Sequence, residues 1–343
     1  MSDIVALAKE LDAEGMLNHL RNMPDDLAAQ WSKSEERGNT PSHMFCLGMG
    51  GSAAAGDFLA ALADYSGSTP VTRWRDYDLP SWVPEGTLFV PSSYSGNTEE
   101  TLSATAKAME IGGECHFLSS GGKLADIAAE TGSPYAQVPG GQPPRSAFGH
   151  MFGALSRIAE ARGVINCLDG WEDSGLIERM REIVTQMDFV NDPESPSLAI
   201  ARTIVDKEVG IVSASELHCA GVRFANQLNE NGGIFARATA LPEMNHNEII
   251  AWAEEDAKES QAILFITWDG MSERVGKRVD WMMENVDVDI GWELQCEGSS
   301  LLEAMLYSCI AMDWISCAVA LLRGKDPSAI GPINSLKGYL ADQ

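Results

Sequence analysis

Apolar residues recur at helical spacing from the start of the chain: Ile4, Leu7, Leu11, Met16, Leu17 and Leu20, then Leu27 and Trp31. That period predicts a helical lead-in over residues 3–35. From residue 44 the pattern changes. Met44-Phe45-Cys46-Leu47 is an apolar run of strand length, closed by Gly48-Met49-Gly50-Gly51-Ser52 and followed by a small-residue helix over 53–62. Strand and helix then alternate: 87–91 with 99–111, 115–118 with 124–130, and 135–139 with 147–162. The chain turns polar over 163–174, a plausible junction, and helices are expected at 176–191 and 198–205. A second series follows, with strands at 209–213, 235–240, 262–267 and 286–294 and helices at 216–228, 246–254 and 273–285. An apolar helix over 301–322 is expected to pack on the second sheet, and a short helix carrying Lys337 ends the chain. This alternation predicts an α/β fold: two three-layer α/β/α subdomains, 1–162 and 163–343, each with a mainly parallel sheet.

Length and composition agree with two ordinary globular domains: 343 residues, 45% hydrophobic and 22% charged. Charge adds a constraint. Fifty acidic against 24 basic residues give a net charge of −26, a field that repels nucleic acid and anionic membranes. Neither is expected as a partner, and any anion site must be built locally from backbone amides, helix N-termini and a few cations. The seven Cys are odd in number and include no CxxC pair, which reads as reduced, buried thiols in a cytoplasmic protein. The six His show no HxH, HxxxH or HExxH spacing, so neither a transition-metal site nor a metal cofactor is expected. The N-terminus is charged and amphipathic, unlike a signal peptide, and no apolar run is expected to reach bilayer-spanning length.

Three loops carry candidate chemistry. Gly48-Met49-Gly50-Gly51-Ser52 joins a strand to a helix, the arrangement in which glycines let backbone N–H groups converge on an anion. It lacks the Gly-Lys-Ser/Thr ending of a nucleoside-triphosphate loop. A loose GxGxxA match, Gly48, Gly50 and Ala53, keeps a dinucleotide reading open, although no acidic residue ends a strand about 20 residues on. The second loop, Ser92 to Thr101, offers the hydroxyls of Ser93, Ser95 and Thr98 beside a helix start; a cap and turn need only one of them. The third, Gly140 to Ser146, places Arg145 at a helix start, where the dipole favours an acid. A cation there either binds an anion or forms a surface ion pair.

The stretch from Asn226 to Trp252 is unusually rich in Asn and Glu. Glu230 lies between Asn229 and Asn231, and His246 between Asn245 and Asn247. A carboxylate and an imidazole with amide neighbours are what proton transfer near neutral pH requires. The same residues also suit two polar helix ends joined by a strand.

Together these segments resemble a known family. GMGGS at 48–52 and SYSGNTEET at 93–101 are similar to the phosphate loops of sugar isomerase (SIS) domains. PPRS at 143–146, LNEN at 228–231 and PEMNHNEI at 242–249 resemble the bifunctional phosphoglucose/phosphomannose isomerases. The resemblance covers nearly the whole chain. It implies two SIS domains in a homodimer that interconverts glucose, mannose and fructose 6-phosphates, with the phosphosugar as its small-molecule partner. It implies Glu230 as the base between carbons 1 and 2, and Arg145 steadying the enediolate. His246, donated across the dimer interface, would assist ring opening, and Lys337 would contribute to it. Gly51, Ser52, Ser93, Ser95 and Thr98 would surround the phosphate, and no cofactor or metal is required. Gly232-Gly233 departs from the relatives, which often carry bulkier or basic residues there. A non-catalytic SIS module that binds a sugar phosphate, and an isomerase for a single or different phosphosugar, remain alternatives.

Overall fold

The computed structural model describes residues 3–253, 260–286, 288 and 290–341. Helices α1 (Ile4–Leu11) and α2 (Met16–Trp31) open the chain. Then come β1 (His43–Leu47), α3 (Gly50–Ser66), β2 (Val71–Trp74), β3 (Thr87–Pro91), α4 (Glu99–Glu110), β4 (Glu114–Cys115), β5 (Phe117–Ser119), α5 (Gly122–Thr131), β6 (Tyr135–Gln137), α6 (Phe148–Ala161) and α7 (Leu176–Met187). The second series is α8 (Pro196–Ile204), β7 (Glu208–Ala214), α9 (His218–Gln227), a π-helical turn (Leu228–Gly232), β8 (Ala236–Leu241), a 3-10 turn (Glu243–His246), α10 (Ile249–Ala253), β9 (Gln261–Trp268), α11 (Glu273–Asn285) and β10 (Ile290–Cys296). Helices α12 (Leu301–Leu322) and α13 (Gly331–Ala341) close it. Every strand pair is parallel, as expected for α/β.

These elements form two compact units. One takes Arg21–Arg181 and Ser299–Met305; the other takes Met1–Leu20, Glu182–Gly298 and Leu306–Gln343. In the first, the sheet order is β2-β1-β3-β4, with β5-β6 as a further pair bridged to it through Ser92 and Leu118. Side chains of a strand alternate between its faces. Phe45 and Leu47 of β1 accordingly join Phe89, Phe117, Leu124 and the alanines of α4 and α5 in one core layer. Cys46 looks the other way, where a Cβ on Gly56 of α3 would come within 2.9 Å of it. Helices α3 and α6 pack together there through Phe58, Phe148 and Phe152.

In the second unit the order is β10-β9-β7-β8. Val212, Ile263 and Phe265 bury one sheet face against Trp252, Val279 and Met282 of α10 and α11. On the other face, a Cβ on Gly221 of α9 would rest 3.4 Å from Ile211 and Ser213.

Four local features depart from the pattern reading. The lead-in breaks at Asp12, whose carboxylate accepts the N–H groups of Met16 (2.7 Å) and Leu17 (3.1 Å) and so starts a new helix. The strand expected at 115–118 splits at buried His116, where the chain passes from the β3 partner to the β6 partner. The helix expected over 246–254 is instead the 3-10 turn plus α10, broken at Asn247; residue 254 lies outside the described residues. Helix α12, contrary to expectation, is long and apolar enough to cross a membrane. Its burial (94% of its apolar window) marks it as a core helix.

Candidate active site

Strand β1 crosses through α3 to β2 on one side, while its other neighbour β3 crosses through α4 to β4. The carboxyl ends of β1 and β3 therefore form a topological switch point, where parallel sheets bind ligands. Both hydroxyl- and glycine-bearing loops leave from there. No side chain caps α3 or α4, so the first-turn N–H groups of both helices face outward without a competing side-chain acceptor.

The loops are tied to one another by specific contacts. Buried Ser52 accepts the N–H of Tyr94 at 2.9 Å, joining the first loop to the second. The Tyr94 hydroxyl accepts the N–H of Gln142 at 3.0 Å, joining the second to the third. A Cβ on Gly51 would lie 3.0–3.1 Å from the backbone of Pro144 and Arg145, so glycine is what permits this approach. Ser93 contacts the hydroxyls of Thr98 (2.8 Å) and Ser95 (3.5 Å), and Thr98 stands at the N-cap of α4 without capping it. Gly51, Ser52, Ser93, Ser95, Thr98 and Arg145 are thus brought into one neighbourhood. Arg145 is only 5% exposed, so it is not a surface cation.

Sequence reasoning missed Tyr94 and Gln142, which hold the cradle together. The available signal was a lone aromatic among serines: a buried Tyr needs a partner for its hydroxyl. Burial holds the Tyr94 phenol above its ordinary pKa, so it remains a neutral hydroxyl.

The proton-transfer candidates lie in the other unit. Glu230 is half-buried in the π-helical turn that ends α9, an irregularity that often marks functional sites. Its flanking amides are engaged with the scaffold. Asn229 exchanges hydrogen bonds with the backbone of Ala236 (3.0 and 3.1 Å), and Asn231 donates to Ser316 at 2.9 Å. Gly233 ends the turn at φ 60°, a left-handed conformation suited to glycine, and the Lys325 amine occupies the space a side chain there would need.

His246 ends the 3-10 turn and is exposed. Asn245 beside it accepts from Arg278 at 3.1 Å, while Asn247 donates to Glu243 at 3.2 Å. Glu230 precedes β8 and His246 follows it. Between them β8 itself is roughly 17 Å long, five rises of about 3.3 Å. One chain therefore holds its carboxylate and its imidazole at opposite ends of β8. Lys337 lies on α13, whose residues 331–340 are all exposed.

Residues 193–340 match the family described as the bacterial phospho-glucose isomerase C-terminal SIS domain. A bifunctional phosphoglucose/phosphomannose isomerase of Aquifex aeolicus is 33% identical over 301 residues, 87% of this chain and 89% of that protein. The chain belongs to the bifunctional phosphoglucose/phosphomannose isomerase family. A D-glucosamine-6-phosphate 4-epimerase of Sulfolobus acidocaldarius is 34% identical over 216 residues, 62% of this chain and 65% of that protein. Among solved structures, the C-terminal domain of glucosamine-fructose-6-phosphate aminotransferase from Francisella tularensis shares the fold. Its TM-score is 0.69 at 17% identity, covering 91% of this chain and 97% of that one.

Proposed function

We propose that the chain is an aldose-ketose isomerase that interconverts glucose 6-phosphate and fructose 6-phosphate, and mannose 6-phosphate and fructose 6-phosphate. The observation that carries this reading is the pair of uncapped helix N-termini, of α3 and α4, joined by the Ser52–Tyr94 contact and flanked by the third loop where Gly51 approaches the Pro144 and Arg145 backbone. In a chain of net charge −26, such helix N-termini with hydroxyls beside them are the local means of holding an anion.

In this mechanism the loops hold the phosphate while the Glu230 carboxylate takes the proton from carbon 2 of the open-chain aldose. The C–H electron pair becomes the carbon 1–carbon 2 double bond, and the carbonyl oxygen gains the charge. Arg145 stabilises that enediolate. A proton passes from the carbon 2 hydroxyl to the carbon 1 oxygen, and Glu230 returns its proton to carbon 1, so that carbon 2 becomes the carbonyl and the ketose forms with no net redox change. His246 serves the ring oxygen during opening, with Lys337 contributing.

We infer further that the enzyme is a homodimer. The placement of Glu230 before β8 and of His246 beyond its other end supports each site taking its imidazole from the second copy. The exposure of His246 and of α13 fits residues that complete a partner's site. A cytoplasmic setting is supported by the seven cysteines, which are thiols, six of them buried.

The test is complementation. Glu230→Gln alone should lower kcat about 10²–10⁴-fold, and His246→Ala should be impaired as well. Refolding the two together should restore about a quarter of wild-type activity, because each mixed dimer contains one intact site. Full turnover by Glu230→Gln would overturn the base assignment; no recovery on mixing would overturn the shared site. Assaying EDTA-treated enzyme on fructose 6-phosphate, with glucose, mannose and glucosamine 6-phosphates followed separately, separates the bifunctional reading from other phosphosugar chemistry.

A further inference from the structure

Arg223, Gln227 and Asn231 are spaced four residues apart along α9 and the π turn, and all three reach α12. Asp313 accepts from both Nη atoms of Arg223 (one at 3.0 Å) and from Gln227 at 2.7 Å. Ser316 accepts from Asn231 at 2.9 Å and donates to the Asp313 carbonyl at 2.9 Å. All five side chains are at least nine-tenths buried.

The spacing explains why the turn is π-helical. In a regular α-helix a four-residue step drifts about 40° around the axis, so two steps carry a side chain well off the stripe. Underwinding the last turn returns Asn231 to the line of Arg223 and Gln227. Glu230 is its immediate neighbour, and the Glu230 charge is among those that keep the Arg223 guanidinium protonated against the cost of burial.

We propose that Asp313 and Ser316 are positioning residues that lock the π turn through this stripe and so aim the Glu230 carboxylate. The inference rests on Glu230 being the base. Neither α12 residue touches substrate; both act through the turn. A base displaced by about 1 Å can cost about 100-fold in rate while substrate binding is spared.

The experiment uses full-length Asp313→Asn and Ser316→Ala, with Ser316→Thr as the conservative rescue and Glu230→Gln alongside. Asp313→Asn keeps the size of the side chain, and Ser316→Ala keeps the buried ion pair, so one remains informative if the other folds poorly. The expected result is kcat lower by about 10–100-fold with KM for glucose 6-phosphate within about twofold. The kinetic isotope effect with deuterium at carbon 2 should rise, because proton transfer becomes rate-limiting. Ser316→Thr should recover both parameters. Loss of activity in proportion to the unfolded fraction, with an unchanged isotope effect, would make the stripe merely structural and overturn the inference. Wild-type kinetics in both variants with an inactive Glu230→Gln would overturn it too, leaving the base standing. An active Glu230→Gln would instead overturn the reading on which it rests.

Discussion

Ser52 offers the sharpest separation of scaffold from substrate binding, because its hydroxyl has two tasks. Its oxygen accepts the Tyr94 N–H at 2.9 Å, and its residue is only 6% exposed. Ser52→Ala therefore leaves a buried backbone donor without that acceptor, at a cost of about 1–3 kcal/mol. Alanine's better helix propensity returns about 0.5 kcal/mol, since the site lies in the first turn of α3. The net loss of about 1–2 kcal/mol corresponds to a Tm lower by about 2–8 °C for a unit of this size. The hydroxyl hydrogen is the second task. If it donates to the phosphate, its loss removes a charge-assisted bond and raises KM for fructose 6-phosphate roughly 10–100-fold. Ser95→Ala is the control: Ser95 is exposed and its oxygen meets the Asn97 N–H at 3.3 Å and the Ser93 hydroxyl at 3.5 Å, both long contacts, so KM should rise with Tm nearly unchanged. Scanning calorimetry with steady-state kinetics on both variants reads the two tasks apart. A wild-type Tm for Ser52→Ala would refute the tie between the loops. A lowered Tm with unchanged KM would take Ser52 out of the phosphate set.

Two further predictions concern the fold around the cradle. Gly96→Ala should lose most soluble, folded protein: Gly96 is left-handed at φ 69°, and a Cβ there would overlap the Gly121 carbonyl oxygen. The conformation alone costs about 1–2 kcal/mol; a thermally stable Gly96→Ala protein would show that this backbone is wrong. Burial, reinforced by Arg157 and Arg162, pushes the His116 imidazole down to about 4. Its folded value lies below its unfolded one, so its stabilisation is complete above about pH 6.5 and is lost as pH falls through about 4, by about 3 kcal/mol. Urea unfolding across that range should show a shallower pH dependence in His116→Gln, and an unchanged dependence would exclude His116 as its source.

Much of this was legible because buried parallel strands read as continuous apolar runs and their loops as glycine and hydroxyl clusters. Residues 44–47 and 87–91 fell on β1 and β3, and 48–52 and 93–101 on the two strand-to-helix junctions, although α3 starts at Gly50 rather than at residue 53. What escaped depends on tertiary context. Nothing local in Asn229-Glu230-Asn231 distinguishes a π turn from a helix end; that depends on α12, more than 80 residues on, presenting Asp313 and Ser316 at matching height. The split at His116 is likewise fixed by which strand lies alongside. Helix α12 carried a local clue in Asp313, a charge amid apolar residues that becomes intelligible only against Arg223. The burial of Arg145 likewise had no local signal in the Gly140–Ser146 loop.

The acidity and the anion site are compatible once distances are considered. A carboxylate about 20 Å away acts on a phosphate with about 0.2 kcal/mol in water, and a Debye length of about 8 Å screens most of that. A single charge-assisted hydrogen bond at contact contributes about 1.5–3 kcal/mol. In the proposed site several such donors, the first-turn amides of α3 and α4 with the Ser93, Ser95 and Thr98 hydroxyls, would outweigh a distant field of 50 acids. The net charge therefore governs how the protein meets its solvent and other macromolecules, while affinity for a phosphate at the proposed site would be decided within a few ångströms. The cradle achieves this mainly with backbone amides and hydroxyls, which carry no net charge to be neutralised when the ligand is absent. Arg145 is the exception among its named residues, and it is buried against the Gly51 approach, where solvent screening is weakest. A cation placed there acts at close range on whatever charge develops beside it, which is the requirement an enediolate imposes.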